Sequence, residues 1–232
     1  MKEFVSTDGG IEGFRTPQLG EKQITKLDRE IWKPGQFSSE HSVLDLGCGV
    51  GRHLAYFQSK GIKLMVGVEI SERAVKAAPI DVKNFIKCMD IFDFLDVNDE
   101  FFDRIICLDI LEHFSKKQAL SILIRLRGCL KPDGAVIIKL PNGASPWGLQ
   151  FQHGDLTHVT AFSPQSFEHL AVSAGFRLER SWGEKLGSPM KQIRSEIFYA
   201  FLRWVIAYPP QIWNGNFFAM LRHATSDNQI AR

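Results

Sequence analysis

The residues best placed to do chemistry fall into three groups along a chain of 232 residues. The first is Val43-Leu44-Asp45-Leu46-Gly47-Cys48-Gly49-Val50-Gly51, an apolar run ending in three glycines two apart. Glycines where a strand turns into a helix let the backbone bend sharply and come close to a ligand. The helix that follows offers free N–H groups and the positive end of its dipole. A polar ligand is expected there. The spacing is G-x-G-x-G, whereas a dinucleotide fingerprint wants its third glycine one position later, where this chain has Arg52, so a pyrophosphate is disfavoured.

The second group is acidic. Glu69 lies twenty residues beyond Gly49 at the end of the next apolar run, where a carboxylate can accept both hydroxyls of a ribose. Cys88-Met89-Asp90-Ile91 places another acid beside an apolar residue where an adenine would lie. Two acids and a glycine turn describe an adenosine site. Asp45 adds negative charge near the glycines, which repels a phosphate and suits a sulfonium or an amino group. The third group is imidazole-rich: His113 in Asp109-Ile110-Leu111-Glu112-His113, then His153, Asp155 and His158 within residues 152–160, a composition suited to substrate contact.

These groups need a scaffold that brings them to one edge. From Ser42 to Leu140 short β-branched runs alternate with longer amphipathic ones, the pattern of parallel strands joined by crossover helices. Strands are expected at 43–46, 64–68, 84–88, 104–108 and 135–140, with helices at 51–59, 71–78 and 116–130. Lys131-Pro132-Asp133-Gly134 reads as a turn. Residues 142–160 read as a loop. Ser163-Pro164-Gln165 reads as a helix start, and Gly175 ends that helix before strands at 176–182 and 217–222. The fold class is therefore α/β: a doubly wound, seven-stranded, mostly parallel sheet with helices on both faces. Residues 1–41 form a helical cap, with an amphipathic helix at 19–32. Residues 42–141 form the cofactor-binding core, and residues 142–232 an acceptor-site loop, completing strands and an apolar helix of the same domain.

Composition narrows the function classes. With 44% hydrophobic residues the chain has material for a large core, and 28 basic against 26 acidic residues leave +2, which argues against a polyanion-binding surface. No nucleic-acid partner is expected. No secretory pattern opens the chain and no apolar run reaches ~18 residues, so a cytoplasmic protein is expected. Cys48, Cys88, Cys107 and Cys129 form no CxxC pair and read as core thiols. The run at 196–208, EIFYAFLRWVIAY, is almost wholly apolar. It is read first as a packed core element, with a lid or a peripheral contact to membrane or lipid-linked substrate as the alternatives.

DLGCGVG, the acid in VGVEIS, the MDIFDF step, FDRIICLDILEHF and CLKPDGAVIIKLPN resemble, in order and spacing, the motifs of class I S-adenosylmethionine-dependent methyltransferases. Their fold is Rossmann-like. The resemblance implies S-adenosylmethionine as cofactor. Its methionine part would be held by Asp45, Gly47, Gly49 and Gly51, its ribose by Glu69 with Ile70 alongside, and its adenine by Asp90 and Ile91. Asp109 would lie beside the methyl group. Cys48 is then packing rather than nucleophile, because transfer from a sulfonium needs no covalent intermediate.

The segment at 141–176, with its D-x-T-H run before F-S-P and a helix ending in AGF, also resembles methyltransferases of bacterial polysaccharide and glycolipid biosynthesis. That resemblance implies a small-molecule or glycan hydroxyl as acceptor. A hydroxyl acceptor must lose its proton, so His158 is the first candidate for a base. His113 is the second, with a positioning role equally open. His153 and Asp155 are candidate acceptor contacts. A metal held by His153, Asp155 and His158 is conceivable from residue type, but no metal is expected. The alternatives are a catalytically silent cofactor-binding scaffold or regulatory subunit, or a methyltransferase acting on RNA or protein. A nicotinamide dehydrogenase comes last because the glycine spacing is wrong.

Overall fold

The computed structural model describes residues 19–224. Residues 1–18 of the expected cap and residues 225–232 of the expected carboxyl-terminal segment lie outside the described residues. The chain opens with α1 (Glu21–Leu27), continued by a wider π-type turn at Asp28–Trp32. There follow β1 (Val43–Leu46), α2 (Arg52–Ser59), β2 (Met65–Glu69), α3 (Glu72–Ala77), α4 (Ile80–Lys83), β3 (Ile86–Cys88), α5 (Ile91–Val97) and β4 (Phe102–Leu108). The second half holds α6 (Lys116–Gly128), β5 (Leu130–Pro141), α7 (Leu149–Gln152), α8 (Pro164–Ser173), β6 (Phe176–Gly183), α9 (Pro189–Val205) and β7 (Asn216–His223).

The strands make one sheet in the order β3-β2-β1-β4-β5-β7-β6. β1 to β5 run parallel, and β7 enters antiparallel between β5 and β6. Strand order reverses beside β1, which lies between β2 and β4. The crevice outside the carboxyl ends of those strands is where a doubly wound sheet binds its ligand. All four residues of β1 are buried, as a central strand covered on both faces requires. Period-2 alternation sends Leu44 and Leu46 into the core shared with α5, α6 and α8, and Val43 toward Tyr56 and Phe57 of α2. Asp45 shares the Val43 face.

The helices start where short side chains can cap them. Ser115 and Gln118 form a reciprocal capping box for α6, and Ser163 caps α8 with Pro164 in its first turn. Arg104 ties the amino-terminal segment to the sheet by donating to the carbonyls of Gly35 and Gln36, both at 2.8 Å.

Four expectations need correction. Lys131-Pro132-Asp133-Gly134 does not separate α6 from the strand: Leu130 already pairs with Phe102, and the next partners are Arg104 and Ala135, so the four residues bulge out of β5. Helix α5 was not anticipated, because its seven residues are too few to show a period. Cys88 is exposed on the edge strand β3, not buried. The apolar helix α9 starts at Pro189, capped by Ser188, ends at Val205, and buries none of its residues, so it is not a core element.

The excursion from β6 to β7 leaves the sheet at Gly183, beside Phe217, and returns at Asn216, beside Pro141. Both ends therefore stand at the carboxyl edge of β5. Asn142 holds the returning limb, its side-chain amide donating to the carbonyls of Ile212 at 2.8 Å and Asn214 at 3.1 Å.

Candidate functional site

The turn after β1 is built for close approach. Gly47 has φ +80°, and a Cβ there would stand 2.1 Å from Ile110 Cδ1, because the turns after β1 and β4 touch. Gly49 has φ +54° and open space where a Cβ would be. Its N–H donates to Glu69 Oε2 at 2.9 Å, while Glu69 Oε1 accepts from Ser71 N at 2.7 Å. An ionised carboxylate has about four acceptor positions, so two remain for a diol. Gly51, φ +75°, starts α2.

Asp45 is 2% exposed, and its Oδ2 has no hydrogen-bond partner among the described residues. His53 Nδ1, on α2, stands 3.8 Å from it. Burial, reinforced by the charge of Glu69, pushes the Asp45 carboxyl up to about 8, and burial pushes the His53 imidazole down to about 4. The pair is therefore neutral at pH 7. Asp45 brings latent rather than standing negative charge, which corrects the sequence expectation, and a cationic ligand end would draw the proton off. An orphaned buried carboxyl, an open glycine turn and a carboxylate with spare acceptor positions together fit a ligand with a cationic end and a vicinal diol.

Asp90 caps α5, its Oδ1 accepting from Phe92 N at 2.7 Å, and Ile91 packs half-buried against the core. Ile70 is exposed beside the turn. Asp109 ends β4 at φ +56°, a left-handed conformation unusual for a residue with a side chain. It pairs with Lys139 Nζ at 2.9 Å, which is 3.7 Å from Glu184 Oε1. Although burial works against its charge, Asp109 and Glu184 hold the Lys139 ammonium above its ordinary range. A cavity of about 240 Å³ lies between α1 and this pair, lined by Lys26, Arg52, His53, Asp109 and Lys139 among others. Lys26 closes one side by donating to Glu184 at 2.9 Å.

A second cavity, about 330 Å³, shares Asp109, Lys139 and Glu184, and adds Glu112, Phe151, His158, Leu186 and Asn216. His113 packs against His158, which lines this cavity, with ring centroids 4.7 Å apart. Thr157 Oγ1 is 2.6 Å from Asp155 Oδ1 and 2.9 Å from His113 Nδ1. That hydroxyl hydrogen holds Asp155 below the usual carboxylate range, so Asp155 is acceptor-only. Thr157 therefore donates to Asp155 and accepts from His113 Nδ1–H. His158 Nδ1 is 3.1 Å from the Gln152 carbonyl, which can only accept. In its neutral form each imidazole thus carries its proton on Nδ1 and its lone pair on Nε2. Burial and the neighbouring His158 push the His113 imidazole below its ordinary range. His153 is exposed and does not line the cavity.

The sequence pointed to His113, His158 and Asp155 but missed four side chains. Glu112 is wholly buried, both its oxygens lack partners among the described residues, and burial with the nearby Asp109 pushes it up to about 8. The DILEH run contained it, and an acid amid apolar neighbours was the available signal. His53, Lys139 and Glu184 gave no such signal: each reaches the site only through α2, β5 or the limb after β6.

A family model described as a methyltransferase domain matches residues 19–181. Among curated proteins, a cyclopropane-fatty-acyl-phospholipid synthase of Escherichia coli K12 is 29% identical over 60% of this chain and 37% of its own length. A ubiquinone biosynthesis O-methyltransferase of Neisseria meningitidis is 24% identical over 59% of this chain and 51% of its own. The chain thus spans about a third to a half of these relatives. In fold it is similar to an S-adenosylmethionine-dependent methyltransferase from Archaeoglobus fulgidus, with TM-score 0.63, 22% identity, and coverage of 87% of this chain and 93% of the other. A magnesium protoporphyrin IX methyltransferase from Synechocystis, solved with S-adenosylmethionine bound, gives TM-score 0.55 at 15% identity over 88% and 79%.

Proposed function

Because the chain belongs to the methyltransferase-domain family and is an S-adenosylmethionine-dependent methyltransferase, we propose that it methylates a hydroxyl, on a small molecule or glycan, that an apolar chain carries to the site. The observation that carries this reading is the position of α9. It follows Leu186, which lines the larger cavity, and it leaves Ile193, Ile197, Phe198, Phe201 and Trp204 in solvent, Trp204 at 83% exposure. A monomer rarely exposes so much contiguous apolar surface without a use for it. One of the matched relatives is named for a fatty-acyl phospholipid and the other for ubiquinone biosynthesis, which supports an amphiphilic acceptor. No described helix is long and apolar enough to cross a membrane, so α9 would lie along an interface.

The cofactor supplies an electrophilic methyl group on a positively charged sulfur. Asp45, Gly47, Gly49 and Gly51 would hold its methionine part, Glu69 with Ile70 its ribose side, and Asp90 with Ile91 its adenine, while Asp109 stands at the methyl edge. Asp109, fixed by Lys139, would separate the cofactor from the larger cavity, where the acceptor enters. There the hydroxyl meets the Nε2 lone pairs of His158 and His113, which serve either to take its proton or to hold an ion that makes it acidic.

The test is methyl transfer from labelled S-adenosylmethionine to one hydroxyl head group offered free in water and attached to an alkyl chain in vesicles. The alkylated form should be turned over at least tenfold faster in kcat/KM. Replacing Phe198, Phe201 and Trp204 by Ser should abolish that preference. Equal rates on both forms would overturn the amphiphilic reading, and transfer only to nitrogen or carbon acceptors would overturn O-methylation.

A further inference from the structure

The two cavities leave one buried carboxyl without an explanation. Glu112, in the turn after β4, borders the larger cavity at 0% exposure, and both its carboxyl oxygens lack hydrogen-bond partners among the described residues. A buried carboxyl without hydrogen-bond partners either keeps its proton or gives it up to ligate a cation. Beside it stand the two imidazoles, and donor atoms of Glu112, His113 and His158 all lie within 4.8 Å of one another.

We infer that Glu112, His113 and His158 form a binding site for one divalent transition-metal ion in the wall of the acceptor cavity. One carboxylate and two imidazoles are the ligand set of a catalytic zinc site with an open fourth position, and of facial sites for ferrous iron. The ligands are also oriented as metal-binding histidines are. Asp155 through Thr157 holds the Nδ1–H of His113, and the Gln152 carbonyl holds that of His158, so both Nε2 lone pairs are free. Such outer partners fix the tautomer and the ring orientation. Donors around a tetrahedral ion with bonds of about 2.0 Å stand roughly 3.3 Å apart, so small side-chain rotations close the set. The ligands differ from the trio of loop residues conceivable from residue type: Asp155 is an outer partner, exposed His153 takes no part, and Glu112 and His113 replace them.

The use of the ion rests on the hydroxyl-acceptor reading above. An ion there lowers the pKa of a hydroxyl reaching the open position. The O–H bond breaks and its proton leaves to solvent. The oxygen then forms its bond to the methyl carbon as the carbon–sulfur bond breaks, its electron pair staying on sulfur. His158 then acts as a ligand and not as the base itself.

Binding of the metal alone tests the site independently of activity. Protein stripped with a chelator is titrated with Co²⁺ under visible absorbance and with Zn²⁺ by calorimetry, and S-adenosylhomocysteine affinity is measured in parallel. We expect one Co²⁺ per chain, with the d–d bands of a low-coordinate imidazole site, displaced by Zn²⁺. Glu112→Gln and His158→Asn should each weaken binding at least tenfold, and Thr157→Val about tenfold, with S-adenosylhomocysteine affinity unchanged within twofold. The inference is overturned by featureless Co²⁺ absorbance in the wild-type protein, or by binding that these substitutions leave intact. Should a variant fail to fold, the wild-type spectrum alone decides. Failure of the methyl-transfer reading would instead appear as absent S-adenosylhomocysteine binding.

Discussion

His113 and His158 meet edge to face, their ring planes at 69°, although one comes from the turn after β4 and the other from the loop after α7. The backbone seals the junction: the N–H groups of Val159 and Thr160 both donate to the Glu112 carbonyl, at 2.8 and 3.0 Å. The loop at 153–160 is thus bolted to the carboxyl end of β4. His158→Ala should lower kcat by about 100-fold, within the range of a lost proton-transfer or activating group, while leaving S-adenosylmethionine affinity nearly unchanged. Single-turnover kinetics with calorimetry checks both, and a mutant of wild-type turnover would reject the assignment.

A second expectation concerns Gly49 and Glu69. Gly49→Val meets no steric obstacle inside the protein, so its effects are the left-handed backbone, about 1–2 kcal/mol for a residue with a Cβ, and the filled space beside the turn. Glu69→Ala frees Gly49 N and Ser71 N. Both variants should fold and lose cofactor binding by at least tenfold in calorimetry. Retained affinity in both would place the cofactor elsewhere.

Asp45 and His53 set a pH dependence of stability. Folding raises Asp45 from 3.8 to about 8, so the folded chain keeps a proton the unfolded chain has lost, and stability falls as pH rises across that interval. His53 drops from 6.5 to about 4, so its contribution is complete above 6.5 and is lost as pH falls toward 4. The two slopes cancel between about 4 and 6.5, leaving a net decline between about 6.5 and 8. Asp45→Asn should remove the Asp45 slope and leave the His53 rise uncompensated, seen as denaturation midpoints closest to wild type near pH 4, above it by pH 6 and furthest above it near pH 9. The same variant should bind S-adenosylmethionine more weakly.

Asn142 carries a stability prediction. It is fully buried, donates to two carbonyls of the returning limb and accepts from Ala144 N at 3.1 Å. Asn142→Ala leaves those groups unpaired, for a loss of about 2–3 kcal/mol. Urea unfolding should show it, with hydrogen exchange rising at 212–215 before the sheet.

The parallel half was legible because each strand is a short apolar run followed by a turn or cap that local residue types mark: the glycines at 47–51, Glu69 before Ser71, Asp90 before α5. The glycine turn, the two acids and the imidazoles could be named from local spacing alone. What stayed hidden depends on contacts distant in sequence. Lys139 looks like one polar residue in an apolar strand until the fold sets it against Asp109 and Glu184. Asp45 is indistinguishable from a solvated acid until burial neutralises it. Helix α9 was read as core because apolar composition ordinarily means burial. The sheet has no face left for it, since α2 and the amino-terminal segment cover one side and α5, α6 and α8 the other.

The excursion at 184–215 begins and ends at neighbouring positions of β7, Gly183 beside Phe217 on one edge and Asn216 beside Pro141 on the other. A loop whose ends the sheet already holds together can lengthen, shorten or be exchanged at small cost in closure entropy. No strand of the cofactor half would have to move. Descent with modification therefore has a cassette to work on: new acceptors can be sampled by replacing this segment while the methyl donor's half stays under its own selection. Transplanting residues 185–211 between members of the family should carry acceptor preference with them.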